Sequence, residues 1–585
     1  MTKLLFGVHM HQPVDNLGVA VKKAIELSYA PFFEIMSEYR EFKFALHSSG
    51  WILKYIKDNY PKVFANIQKC NIEFFTGGYY EPILSSIDRE SQINQIKKLI
   101  HFIENNFSQT PKGLWLTERV WSDEIILSLK SCGIEYLIVD DEHIYKANQN
   151  KIEGFWTTES GGDRVSLFPI NKELRYKIPF AKSSDSIDEV KKYSTAIIFD
   201  DLEKFGLWPK TYEWVYTQNW LKEFVQKAID KVETIHFKEF YNQNNSLGLI
   251  YLQESSYIEM NEWAGGKWKN FFVKYSESNR IHKRMLEFKK LQNEPLYKAQ
   301  TNDVFWHGAF GGIYLPNLRD NAYSYIIECE DFTPNGITTE DIEIVGYPQL
   351  KIKNKNIIAR FSAKGATLIE FDDRKNRFNF QNTLTKREES YHKDILNPSK
   401  ETNSDIETIH NMHYNISDEL KEDLFFDNYE RVSFIDSIKN QKGVIKSFAN
   451  KIFTLKDTTF SIDGLSKKYN ILDNGFEFNN SILFNGKNIY ILELNLHFAH
   501  YNNLLLNNSL IKSKEIINSN LFILSDSYTN RDITIEFNKN IKLEYKLIKT
   551  ISQSEKGVDT IIQGINLKFE IEFIDKLELK GKIFF

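Results

Sequence analysis

The sequence predicts an α/β region of the closed β/α barrel type, then a helical segment, then an antiparallel β-sandwich. Three observations predict this. Short apolar, β-rich runs alternate with helix-like segments over the first 255 residues. Nearly every run ends in polar residues able to do chemistry. Beyond about residue 346 the apolar period shortens to two. Near-continuous apolar strands alternating with helices imply a parallel sheet covered on both faces. Alternation with period two implies antiparallel strands with one wet face.

The runs follow in order. KLLFGVHM leads to His9 and His11, FKFALHS ends in His47, and IEFFTGGYYE ends in Glu81. GLWLTE ends in Glu118, and IEYLIVDDEH in Asp140, Asp141 and His143. TAIIFDDLE ends in Asp201 and Glu203, and LGLIYLQES in Glu254. Seven or eight such units in about 255 residues suit a closed barrel, which builds its site at the C-terminal strand ends. Between the runs, SQINQIKKLIHFIENNF has helical apolar spacing. SDEIILSLKSCG opens on an N-cap serine with acids behind it and stops on glycine.

NFFVKYSESNRIHKRMLEFKKLQ predicts one long helix, and a second helical stretch runs from NDVFWHGAFGGIYLP to LRDNAYSYIIECEDF. QLKIKNKNIIARF, DITIEFNKNIKLEYKLI, GINLKFEIEFI and LELKGKIFF predict the β domain, with NPSKETNSDIETIHN as a long loop inside it. The expected domains are 1–270, 271–345 and 346–585.

A chain of 585 residues exceeds one core. With 42% hydrophobic and 26% charged residues it has an ordinary globular composition. A net charge of -5 argues against nucleic acid as a partner. Cys70, Cys132 and Cys329 stand apart and form no CxxC pair, which suits a reducing, cytoplasmic location. The N-terminus lacks a signal-peptide pattern, and no run is apolar enough to span a membrane. All ten tryptophans lie between Trp51 and Trp306. They are either core packing or flat platforms for a sugar ring.

Glycosidic cleavage needs two carboxyl groups facing each other across the sugar. Glu118 and Asp201 are the leading candidates. Each follows an apolar run among aromatics: Trp115 and Trp121 for one, Phe199, Phe205 and Trp208 for the other. The structural alternative for Glu118 is an ion pair at a strand end, and for DDLEKFG a helix start with acids at the dipole. Arg119 need not pair with Glu118, since successive strand residues point to opposite faces. His9-Met-His11 also suits a divalent metal, with Asp140, Asp141 and His143 as further ligands. That pattern would make the protein a metal-dependent carbohydrate deacetylase. The histidines could equally donate hydrogen bonds to a polar ligand, or pack the barrel rim.

Five ordered motifs then stand out: HMHQP (9–13), TGGYYEP (76–82), GLWLTERVW (113–121), FDDLEKFG (199–206) and NDVFWHGAFGG (302–312). SSYIEMNEWA, YLPNLR, DTTFSIDG, ETIHNMHY and YERVSFIDS extend them along nearly the whole chain. On these the chain resembles glycoside hydrolase family 57, within it the 4-α-glucanotransferases more than the branching enzymes. The resemblance implies a seven-stranded barrel, a helical segment completing the site, and a retaining mechanism. It implies Glu118 as nucleophile and Asp201, not Asp200, as acid/base. It implies that His9, His11 and Glu81 hold the sugar, and that Trp115, Trp208, Trp263 and Trp306 line subsites. Asp303 and His307 belong to the fifth motif. Asp140 and Asp141 are then expected to be structural. No metal or other cofactor is implied. The expected partners are an α-glucan donor and a sugar acceptor, with α-amylase activity as the alternative and a homodimer allowed for.

Overall fold

The computed structural model describes residues 1–308, 311–396, 424–511, 515–554 and 557–585. The loop NPSKETNSDIETIHN, the motif ETIHNMHY and positions 309–310 of the fifth motif lie outside the described residues. Two compact units divide the chain. The first holds Met1–Tyr275 and Phe288–Gly308; the second holds Ser276–Glu287 and most of the chain from residue 311 onward.

Seven parallel strands organise the first unit: β1 (Lys3–Met10), β2 (Phe44–Ser48), β3 (Ile72–Phe75), β4 (Gly113–Leu114), β5 (Tyr136–Asp140), β6 (Asp163–Ile170) and β7 (Thr195–Asp201). They form two ladders, β7-β1-β2-β3 and β4-β5-β6. Single residues join the ladders. Thr76 donates to Gly113 and accepts from Trp115, both at 2.9 Å. At the other join Asn171 donates from its backbone to Ile197 at 2.8 Å, and its side-chain oxygen accepts from the Ile197 N–H at 2.7 Å. A side-chain amide thus takes the place of a strand peptide group. The ring encloses Leu5, Phe75, Trp115, Tyr136, Phe168, Ile197 and Phe199. Gly7 is required in β1, because a Cβ there would lie 2.3 Å from the Phe199 ring.

Two expected elements differ. LGLIYLQES is not a barrel strand: it makes only two isolated bridges among the described residues, Leu249 to Thr157 and Ser255 to Trp121, and Leu249 and Tyr251 are 61% and 60% exposed. The place belongs to DRVSLFPI, which pairs in parallel with β5 and forms an antiparallel hairpin with Trp156–Ser160. Its charged start and Pro169 disguise it, since proline is uncommon inside a strand. The predicted long helix is broken into Phe271–Lys274 and Ser276–Glu287. Tyr275 takes an extended conformation between them and buries its ring parallel to Phe271, 6.1 Å away. Helix Arg89–Phe107 forms as its spacing predicts, with Asp88 accepting from Ser91 N–H at 3.0 Å as N-cap.

In the second unit a five-stranded and an eleven-stranded antiparallel sheet share one core, as a sandwich requires. Phe361 and Tyr469 stack at 3.9 Å within that core. Helix Ser276–Glu287 is fastened within this unit by buried charge. Arg284 donates to Glu370 and Glu330 at 2.8 Å, and Arg360 to Glu287 at 2.9 Å. Among the described residues no helix is long and apolar enough to cross a membrane.

Candidate active site

Strand register brings three functional side chains to one level. His9 on β1 aligns with His47 on β2 and with Asp201 on β7. Glu81 follows β3 and Glu118 follows β4. Glu81, Glu118 and Arg119 all have positive φ, 55°, 51° and 50°. Non-glycine residues pay for that backbone region, and such strain persists where surrounding structure fixes it.

His9 and His47 share a hydrogen bond between their Nδ1 atoms at 2.8 Å. Glu81 lies 3.8 Å from His9 Nε2 and 3.9 Å from His47 Nε2, and accepts from Thr117 Oγ1 at 3.1 Å. Burial pushes both imidazoles well below their usual range and the Glu81 carboxyl up to about 8. His11 differs. Burial opposes its charge, but Asp303 at 3.1 Å outweighs burial and raises His11 to about 9. Trp115 is 2% exposed and stacks on His9 at 4.6 Å, so it backs the histidine and offers no open face.

Donor atoms of His9, His47 and Glu81 lie within 4.8 Å of one another, the only such group found among the described residues. Two nitrogens and one oxygen suit a zinc-type ion. Asp140, Asp141 and His143 do not join this group, which corrects the ligand set suggested for the deacetylase reading. Asp140 instead pairs with Arg175 at 3.0 Å and Arg119 at 3.5 Å.

Glu118 and Asp201 are both half-buried. Burial and the charge of Asp201 push Glu118 up to about 7, against a 2.8 Å hydrogen bond donated by Tyr257 and the nearby Arg119. Burial and Asp200 raise Asp201. Asp200 is held low: burial opposes its charge, but Lys204 and Arg175 win. A buried chain of alternating charge therefore runs Arg119, Asp140, Arg175, Asp200, Lys204. Glu203 accepts from Tyr29 and from the His11 N–H, and burial with the Asp201 charge brings it to about 7.

Trp208, Trp263 and Trp306 are half-buried. Trp263 and Trp306 stand parallel at 6.2 Å and 12°. Trp306 Nε1 donates to Asn302 at 2.8 Å, and Asn302 Nδ2 donates to the Glu81 carbonyl at 2.8 Å. His307 is fully buried. Glu254 ends no strand and pairs with Lys267 at 2.8 Å. Sequence reasoning left out His47, Arg175, Tyr29 and Tyr257 as site members. His47 had a signal, since it ends FKFALHS as His9 ends β1. Tyr257 lies in SSYIEMNEWA, where nothing local marks its hydroxyl as functional.

Parallel strands whose C-terminal ends carry two interacting carboxyls among tryptophans fit the glycoside hydrolase class. Residues 5–253 match the profile of Glycosyl hydrolase family 57. Residues 266–333 and 341–583 match the middle and C-terminal domains described as alpha-amylase/4-alpha-glucanotransferase. A 4-alpha-glucanotransferase of Thermococcus kodakarensis is 33% identical, covering 97% of each chain. An alpha-amylase of Pyrococcus furiosus is 32% identical, covering 99% of this chain and 98% of its own. The crystal structure of 4-alpha-glucanotransferase from Thermococcus litoralis superposes with TM-score 0.89 at 29% identity, covering 100% of this chain and 99% of that one. The chain belongs to glycosyl hydrolase family 57.

Proposed function

We propose that the protein is a retaining 4-α-glucanotransferase, moving α-1,4-glucan segments between chains. The electrostatic pairing of Glu118, after β4, with Asp201, at the end of β7, carries this reading. Two carboxyls with opposite roles need environments that favour opposite protonation states. Glu118 has Tyr257 and Arg119 to hold its charge against the burial and the Asp201 charge that raise it to about 7, which leaves it ionised only above that pH. Burial, and after it the ionised Asp200 alongside, keep the proton on Asp201.

Asp201 protonates the glycosidic oxygen while Glu118 attacks the anomeric carbon. The product is a β-linked glycosyl-enzyme, and the shortened chain leaves. Asp201, now ionised, takes the proton from an incoming sugar hydroxyl, whose oxygen displaces Glu118. Two inversions restore the α configuration. His9 and Glu81 face the bound sugar from the floor. His11, charged by Asp303 and bonded through its other nitrogen to Ser49, adds a positive charge beside the sugar. Trp208, Trp263 and Trp306 supply apolar faces for neighbouring rings.

An α-amylase is the second reading, favoured by the similar identity of the Pyrococcus furiosus relative. The two differ in whether water or a sugar meets the glycosyl-enzyme. Incubation with maltotriose decides between them. A ladder of longer products supports transfer; glucose and maltose alone mean hydrolysis. Substrate chemistry of this kind needs neither nucleic acid nor membrane.

A further inference from the structure

The turn bearing Glu118 and Arg119 holds two successive left-handed residues, and the segment Ser255–Tyr257 grips it at several points. Trp121 N–H donates to the Ser255 carbonyl at 2.8 Å, and Ser255 N–H returns a bond to Trp121 at 3.3 Å. Ser256 Oγ donates to the Glu118 carbonyl. Tyr257 OH donates to Glu118 Oε2 at 2.8 Å. The Arg119 guanidinium lies over the Tyr257 ring, 4.3 Å from its centre. Asn261 locks the segment from its other side, accepting from Ser256 N–H at 3.0 Å and donating to the Ser256 carbonyl at 2.7 Å.

We propose that Tyr257 is a positioning residue for the nucleophile, and that Ser255–Asn261 is the clamp that holds the strained Glu118–Arg119 turn. The proposal rests on the nucleophile reading of Glu118. A carboxylate that must attack carbon presents one oxygen and needs the other anchored. Tyr257 supplies that anchor through Oε2. It also favours the ionised form, because a donated hydrogen bond stabilises the anion. Burial and the charge of Glu118 push Tyr257 well above the usual phenol range, so it remains the donor. Arg119 stacked on the ring fixes the hydroxyl's direction.

The test is Tyr257→Phe, which keeps the ring under Arg119 and removes only the hydroxyl. The expected result is a kcat lower by roughly tenfold to hundredfold, the factor a bond to a charged group carries. KM should change little, and the acid limb of kcat/KM should move to higher pH. Ser256→Ala loosens the turn without touching the Glu118 carboxyl. It should lower kcat and leave the acid limb in place. A Tyr257→Phe enzyme with wild-type kcat and an unmoved acid limb overturns the proposal. So does an equal limb shift in both variants. A Glu118→Gln enzyme that still turns over would instead sink the nucleophile reading itself, so the two failures are distinguishable.

Discussion

Arg119 Nε lies 3.5 Å from the Asp140 carboxylate, with both side chains buried, while its guanidinium covers the Tyr257 ring. The arginine next to the nucleophile candidate thus pairs with the Asp140–Arg175 chain, and it acts on Glu118 through charge without an ion pair between them. Removing one partner of a buried pair leaves the other charge uncompensated, at about 3–5 kcal/mol. Arg119→Met should lower stability by that order, measured by chemical denaturation. Asp140→Asn should do the same. An unchanged midpoint in both would mean that the pair is not held as described.

Glu118→Gln should lower kcat by roughly 10³-fold or more, on the scale of losing a nucleophile. Asp201→Asn should lose natural substrates but keep more activity on a donor whose leaving group needs no proton. Crystallography should place the two carboxyls about 5–5.5 Å apart, the retaining separation. A product of inverted anomeric configuration, seen by NMR at early times, would contradict that geometry.

Glu81 ionises at about 8 in the fold, because burial disfavours its charge, against 4.5 as its ordinary value. The folded protein therefore binds more protons at this site than the unfolded chain between those two pH values. This site's contribution to stability falls as pH rises through that window. Glu81→Gln should raise Tm at pH 8 by about a few degrees and change it little at pH 4.5. The same substitution should weaken turnover, since Glu81 is proposed to hold the sugar. A Tm gain of equal size at both pH values would exclude this charge effect.

Prolonged dialysis against a chelator should leave transfer from maltotriose intact, because the proposed steps use only carboxyl groups. Loss of activity restored by Zn²⁺, with His47→Ala abolishing the restoration, would assign a working metal to His9, His47 and Glu81.

Much of the barrel was legible, because a parallel strand buried on both faces must be apolar throughout and its chemistry must collect at its end. That logic located His9, Glu81, Glu118 and Asp201. It failed where burial and strand character part company. LGLIYLQES is apolar yet leaves Leu249 and Tyr251 exposed, and DRVSLFPI forms a strand despite Asp163, Arg164 and Pro169. The break at Tyr275 was hidden for a related reason. One buried ring outweighs helical spacing on both sides, and no periodicity records a single anchor. The site's supports were the least legible part. Arg119, Asp140, Arg175, Asp200 and Lys204 form a chain only after four separate segments fold together.

Glu118 belongs to the ladder β4-β5-β6, and Asp201 to the ladder β7-β1-β2-β3. The Thr76 and Asn171 joins are thus more than a closure of the ring. They are the two mortises that gauge the gap between the carboxyls, a length no continuous ladder spans. One of them rests on the side-chain amide of Asn171. If the two carboxyls act as proposed, the stereochemistry of a bond broken at the rim is set, in part, by an asparagine in the wall of the barrel.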